Sequence, residues 1–341
     1  MRDSIELWGR LRHEQLVRQP KFEVVRSGNS KSGSAGISSM NFLKTTGLFI
    51  VCIVGAGCSD SEMNAPSVDA SPPIADVSPP DQGVVMPDSG MIDDGSGGLN
   101  TLYIGHSFGR VFAQNLPSFA ENVGIDDHTQ RIVFSGGASG APLALWQDDT
   151  DRTDAQAILD GGDVDLLVMI CCSAGWIETA EDQGIINWID YALEQNPNTR
   201  FALAMPWIDF PESYDDAASY VARWEMGYAQ WKQTADALRS AYPGVEIFTI
   251  PHGRAAGELM TLFEAGELPD VMALRSRTSP AVFTDEKGHA GQILKDMGGA
   301  IWLGAIYGVD VSDYDFESSY ITDIAGMAQT IVSEDEYTRQ P

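Results

Sequence analysis

Five short apolar runs, separated by stretches that include helical spacing, constrain this chain more than any other feature. TLYIG (101–105), QRIVFSGG (130–137), DVDLLVMICC (163–172), RFALAMPW (200–207) and GVEIFTIP (244–251) show little of the alternation of a half-exposed strand. Such runs predict strands covered on both faces, and strands that alternate with helices predict a parallel sheet. The intervening helical stretches include RVFAQNLPSFAENVG (110–124), with a bend expected at Pro117. A second carries the stripe Ile185, Ile186, Ile189 and Leu193 and stops at the Asn-Pro-Asn of 196–198. A long helix over 214–242 presents Tyr220, Trp224, Tyr228 and Trp231, and ITDIAGMAQTIVSEDEY (321–337) predicts a last amphipathic one. No internal repeat is present. The pattern predicts one doubly wound α/β domain over residues 99–341.

What precedes that domain differs in kind. Residues 1–39 are polar and mildly basic, without sustained apolar periodicity, and read as an over-extended start or a leader. Met40 opens MNFLKTTGLFIVCIVGAGCSD, in which Lys44 precedes an apolar run and small residues precede Cys58. That is the layout of a secretory signal over 40–57. Its apolar run falls short of the roughly 20 residues that span a bilayer. The end, Gly55-Ala56-Gly57-Cys58, resembles the lipobox of bacterial lipoproteins, although Gly55 stands where a larger aliphatic residue is usual. The resemblance implies lipidation at Cys58 and a place in the bacterial cell envelope, at the outer membrane, with secretion as the alternative outcome of ordinary cleavage. Residues 59–98 carry eight acids and no Lys or Arg among Pro, Ser and Gly. Such a segment buries too little apolar surface to offset its ordering entropy. It predicts a self-repelling tether over 58–98.

From Cys58 onward 13 basic and 45 acidic residues give 13 − 45 = −32. Nucleic acid and anionic surfaces are poor partners for a domain of that charge. The adjacent Cys171 and Cys172 form no disulfide framework and are expected as buried thiols at a strand end. No metal-ligand cluster, phosphate loop or dinucleotide fingerprint is present, so neither a metal nor a cofactor is expected. The sequence specifies no oligomeric state.

The motif that carries chemistry is YIGHSFGR (103–110), which contains Gly105-His106-Ser107-Phe108-Gly109. G-x-S-x-G is the nucleophile elbow of α/β-hydrolases, but that elbow follows a central strand after a block of sheet and an oxyanion loop. Here only the acidic tether precedes the strand, and an α/β-hydrolase would need a sheet built ahead of residue 101. Together with FTDEKGHAGQILKDMGGAIWLGAIYG (283–308), this block resembles the SGNH, or GDSL-type, hydrolases. In that family the serine follows the first strand, and an Asp-x-x-His block lies near the C-terminus. The resemblance covers about 99–308 and implies a flavodoxin-like three-layer α/β/α sandwich with a parallel sheet of about five strands. It also implies a serine ester hydrolase, acting on small-molecule or carbohydrate esters such as O-acetyl groups.

That chemistry assigns the parts. A serine hydroxyl is a weak nucleophile until an imidazole takes its proton, and a carboxylate must orient that imidazole. Ser107 and His289 fill the first two roles. Family spacing puts the acid at Glu286 and family residue type puts it at Asp285; both remain open. The oxyanion needs fixed donors. The Ser107 N–H is one, and Gly137 or Gly136 in FSGGASGAP is the second, with Gly137 preferred. The third block, Gly-x-Asn-Asp, is broken: Cys172, Ala174 and Gly175 stand at Gly, Asn and Asp, so no side-chain amide is present and Ser173 or a backbone N–H is the candidate substitute. That gap supports a rival reading, a lipoprotein that keeps the fold and binds without turnover. His252, after the fifth run, is a rival base without a carboxylate in the four residues before it; His106 and His128 are expected to be structural. Trp146, Trp176 and Trp207 lie near strand ends, where a core or rim role outweighs a substrate-lining one.

Overall fold

The computed structural model describes residues 97–170 and 181–338. The expected leader, signal, Cys58 and nearly all of the tether lie outside these residues, as do Cys171, Cys172, Ser173, Ala174, Gly175 and Trp176.

All five apolar runs are strands. They are β1 (Asn100–Gly105), β2 (Thr129–Phe134), β3 (Leu166–Ile170), β4 (Arg200–Ala204) and β5 (Ile247–Ile250). They pair in parallel in the order β2-β1-β3-β4-β5, which is the flavodoxin-like order. Every residue of β3 and β5 is buried, whereas the edge strand β2 buries only Val133. Its Thr129, Gln130 and Arg131 fit a position with solvent on one side.

Along each strand successive side chains alternate between faces. Tyr103, Val168, Ala202 and Phe248 belong to one face, packed with α1 (Ser107–Glu121), α5 (Ala217–Ala241), α6 (Gly253–Ala265), α7 (Gln292–Tyr307) and α8 (Ile324–Glu334). Leu102, Leu167, Phe201 and Ile247 are buried on the other. There α2 (Pro142–Gln147), α3 (Asp149–Leu159) and α4 (Glu181–Gln195) form the third layer. The Trp188 indole N–H donates to the Pro142 carbonyl at 2.9 Å and ties α4 to α2. The fold is therefore a three-layer α/β/α sandwich.

Local chemistry sets the helix ends. Asp216 and Ser219 close a capping box at the start of α5, satisfying amides that have no partner within the helix. Helix α1 begins at Ser107, three residues before the expected start, and runs on through Pro117 to Glu121. After α6 the chain makes a two-stranded pair, β6 (Ala273–Arg275) and β7 (Ala281–Phe283). Phe283 then forms a bridge back to Ala290, which closes the turn 284–289. That turn and the β1–α1 junction carry the site.

Candidate active site

At the end of β1 the chain passes straight into α1. The Tyr103 hydroxyl donates to the His106 carbonyl at 2.6 Å, and the His106 ring accepts from the Phe108 N–H at 3.4 Å, so His106 caps the helix. Ser107 is the first residue of α1. Its N–H therefore has no acceptor within the helix and sits at the positive end of the helix dipole. The glycines of G-x-S-x-G have a packing cause. A Cβ at Gly105 would overlap Ile170 Cγ2, and one at Gly109 would lie 2.7 Å from the Tyr103 hydroxyl. The helix can approach the sheet here only without side chains at 105 and 109.

The turn 284–289 is built around Asp285. One carboxylate oxygen accepts from the N–H of Gly288 at 3.1 Å and of His289 at 3.2 Å. The other lies 2.7 Å from His289 Nδ1. Burial alone would raise the Asp285 pKa; the bonds from the His289 ring and from the two amides outweigh it and hold the carboxyl below its usual value. Gly288 adopts φ +95, a region open to glycine at little cost. His289 Nε2 lies 2.9 Å from Ser107 Oγ. With Nδ1–H donating to the carboxylate, Nε2 is the acceptor and the serine hydroxyl its donor. The serine, the imidazole and the carboxylate thus stand in one hydrogen-bonded line joining the β1–α1 junction to the turn after β7. Of the two carboxylates left open by the sequence, Asp285 makes the contact. Glu286 is exposed and makes no side-chain hydrogen bond or ion pair among the described residues.

The loop after β4 holds this turn in place. The Trp207 indole N–H donates to the Gly288 carbonyl at 2.8 Å, and the Phe210 N–H donates to the Lys287 carbonyl at 3.0 Å. Trp207 also stacks on Phe108 with centroids 4.7 Å apart, and Phe108 meets the His289 ring edge-on at 5.4 Å. One buried indole therefore braces both halves of the serine–histidine contact. Trp146 is half-buried and packs against Trp188 and Tyr191.

The glycine turn after β2 reaches the same rim. Gly137 opens a 3-10 turn with φ +58, and Gly136 is exposed beside it. A Cβ on Gly140 would fall 2.6 Å from the Gly105 carbonyl oxygen, so this turn abuts the β1–α1 junction. His252 follows β5 and is fully buried among Phe112, Trp207 and Trp302. Its desolvated ring is pushed down to a pKa of about 3, and its Nε2 makes no hydrogen bond of normal geometry among the described residues. His128 lies 2.5 Å from the Tyr307 hydroxyl through Nδ1, a contact in the structural frame.

Two charged groups near the relay were not singled out by the sequence reading. Asp209 and Lys287 stand 3.8 Å apart, and burial raises the Asp209 pKa against the pull of the Lys287 and His289 charges. Asp209 could have been flagged by topology, since ligand sites in such sheets gather at the carboxyl ends of strands. Lys287 lies within the motif itself. A groove of about 770 Å³, lined by Arg254, Glu258, Leu262 and Glu334 among others, contains none of the relay residues.

No family model matches this chain. No curated protein matches it either. Among solved structures, a DUF4886 family protein from Bacteroides uniformis is 15% identical, covering 69% of this chain and 94% of its own, with a TM-score of 0.46. A protein from Slackia heliotrinireducens assigned to the SGNH hydrolases is 15% identical, covering 60% and 97%, with a TM-score of 0.37. A GDSL-like lipase candidate from Parabacteroides merdae is 14% identical, covering 60% and 94%, also at 0.37. At such identity and overlap none of them assigns a reaction to this chain. The chemistry rests on the geometry of residues 107, 285 and 289.

Proposed function

We propose that the protein is a serine ester hydrolase that works through an acyl-serine intermediate. The observation that carries this reading is the line Ser107 Oγ–His289 Nε2 at 2.9 Å and His289 Nδ1–Asp285 at 2.7 Å. Both lengths are those at which a proton passes between heavy atoms. As Ser107 Oγ bonds to the ester carbonyl carbon, its proton goes to His289 Nε2. Asp285 holds the imidazole tautomer and stabilises the imidazolium. The carbonyl oxygen, now negative, faces the N–H groups of Ser107 and Gly137. The proton then leaves with the alcohol, and water repeats the sequence on the acyl-serine to release the acid and restore the serine. This chemistry requires no cofactor.

The substrate class that fits is a small neutral acyl ester, carbohydrate O-acetyl groups included, because a strongly acidic domain repels anionic substrates. The layout of residues 40–98 supports export, with Cys58 as a lipid anchor in the bacterial envelope. The second reading, binding without turnover, is favoured by the absence of a side-chain amide in the third block. Hydrolysis of p-nitrophenyl acetate by the purified protein and by Ser107→Ala decides between them. The proposal expects turnover in the first and a rate near background in the second. Equal rates would remove the catalytic reading.

A further inference from the structure

We infer that the ammonium group of Lys287 meets the negative oxygen that develops on the substrate carbonyl, in the role for which the sequence offers no side-chain amide. The inference rests on the hydrolase reading and adds a catalytic residue to it. Lys287 lies between the acid and the base of the relay, and its backbone is fixed where its carbonyl accepts the Phe210 N–H. Its Nζ stands 3.4 Å from the point a Cβ on Gly137 would occupy and 3.8 Å from an Asp209 carboxylate oxygen.

Those two neighbours locate the charge. Gly137 follows β2 and Asp209 follows β4, while the sheet order is β2-β1-β3-β4. A group touching both loops lies over the carboxyl ends of β1 and β3, and the end of β1 is where Ser107 begins. The Asp209 contact is longer than a hydrogen bond, and Nζ makes none among the described residues. Its N–H donors therefore remain available to a substrate oxygen. The formal net charge of −28 argues against a second use, recognition of an anionic substrate, because the surrounding field repels such a ligand before it arrives. A cation here suits charge that arises only after a neutral ester has bound.

The step balances without a proton from lysine. The Oγ–carbon bond forms, the carbonyl π pair moves to oxygen, the hydroxyl proton goes to His289, and Lys287 remains an ammonium throughout. An interaction present only with the developing oxyanion lowers kcat when removed and leaves KM nearly unchanged.

The test measures kcat and KM for p-nitrophenyl acetate with the full chain, Lys287→Met, Lys287→Arg and Ser107→Ala. Lys287→Met is expected to lose about 10²-fold in kcat, with KM within about threefold and an unchanged melting temperature. Lys287→Arg is expected to recover at least tenfold of that loss, since it restores charge and donors. The rate at which a fluorophosphonate modifies Ser107 should fall in parallel in Lys287→Met, and this second readout also holds if the variant is less stable. A Lys287→Met kcat within threefold of the parent, or a raised KM at constant kcat, overturns the inference while leaving the hydrolase reading intact. A parent protein no faster than Ser107→Ala overturns both.

Discussion

His289, in the turn after β7, and His252, just after β5, have opposite surroundings. The His289 side chain is 37% exposed, with a carboxylate at one nitrogen and a hydroxyl at the other. The His252 ring is buried, with Nδ1 at 3.2 Å from the Ile250 carbonyl, Nε2 without a hydrogen bond of normal geometry among the described residues, and three aromatic rings around it at 5.0–5.8 Å. Burial disfavours the charged imidazolium, and no carboxylate among the described residues offsets it. A ring with a pKa of about 3 is a poor acceptor for a serine proton at neutral pH. The difference teaches that a base is made by its neighbours: one histidine is equipped to move a proton, and the other is a neutral core side chain.

Substitutions at the two positions separate these roles most sharply. His289→Ala is expected to lower kcat by about 10⁴-fold or more, with little change in the urea midpoint. His252→Phe should keep kcat within about threefold. A folded His252→Phe protein without turnover would break the comparison. The acid comes next. Asp285→Asn should cost about 10³–10⁴-fold in kcat by disturbing the tautomer, whereas Glu286→Gln should stay within twofold on the same assay. Reversal of that order would move the orienting role to the exposed residue.

Acid stability gives a third contrast. In the unfolded chain the His252 ring takes a proton near pH 6.5, and in the folded protein only near 3. Between those values the unfolded state holds the additional proton, so folding stability is complete above about pH 6.5 and falls as pH falls. Unfolding by urea at pH 6.5 and pH 4 should show on the order of 3 kcal/mol more loss in the parent than in His252→Phe. Asp335, raised to about 6 mainly by burial, works in the opposite sense in both proteins, so the difference between them isolates position 252. Equal losses would mean that the ring is solvated. The smallest effect belongs to the brace. Trp207→Phe keeps the stack on Phe108 but removes the N–H to Gly288, and about tenfold in kcat with little change in KM is expected for a looser histidine turn.

The sheet was legible because burial on both faces writes itself as continuous apolar runs, and β1, β3, β4 and β5 all have that environment. Helices α2, α3 and α6 were not legible. Helix α3 buries only Ala155 and Leu159 along an Asp-rich segment, and α6 starts at Gly253 with no side-chain cap. Each carries half of the usual signal: α3 has the Asp148 cap and an acidic first turn but almost no apolar stripe, and α6 has an apolar face through Ala255, Ala256, Leu259 and Met260 but no cap. Within the site, Ser107 and His289 were readable from block order, although His289 follows β7 of the separate two-stranded pair and not a strand of the main sheet. The choice between Asp285 and Glu286 was not, because it depends on how the turn 284–289 folds back to give its amides to Asp285. Lys287 and Asp209 meet only through the loop after β4, a pairing of residues far apart in sequence that no local pattern announces. The glycines at 105 and 109 taught the opposite lesson. Their pattern lacks the preceding sheet of an α/β-hydrolase elbow, and the close approach of α1 to Tyr103 and Ile170 supplies a separate reason for both.

The most direct measurement of the central claim is the site of covalent modification by a fluorophosphonate, located by peptide mass mapping. The account predicts one adduct, on Ser107, in the parent protein and in His252→Phe, and none in His289→Ala over the same time. An adduct elsewhere, or modification of Ser107 that proceeds equally without His289, would contradict it.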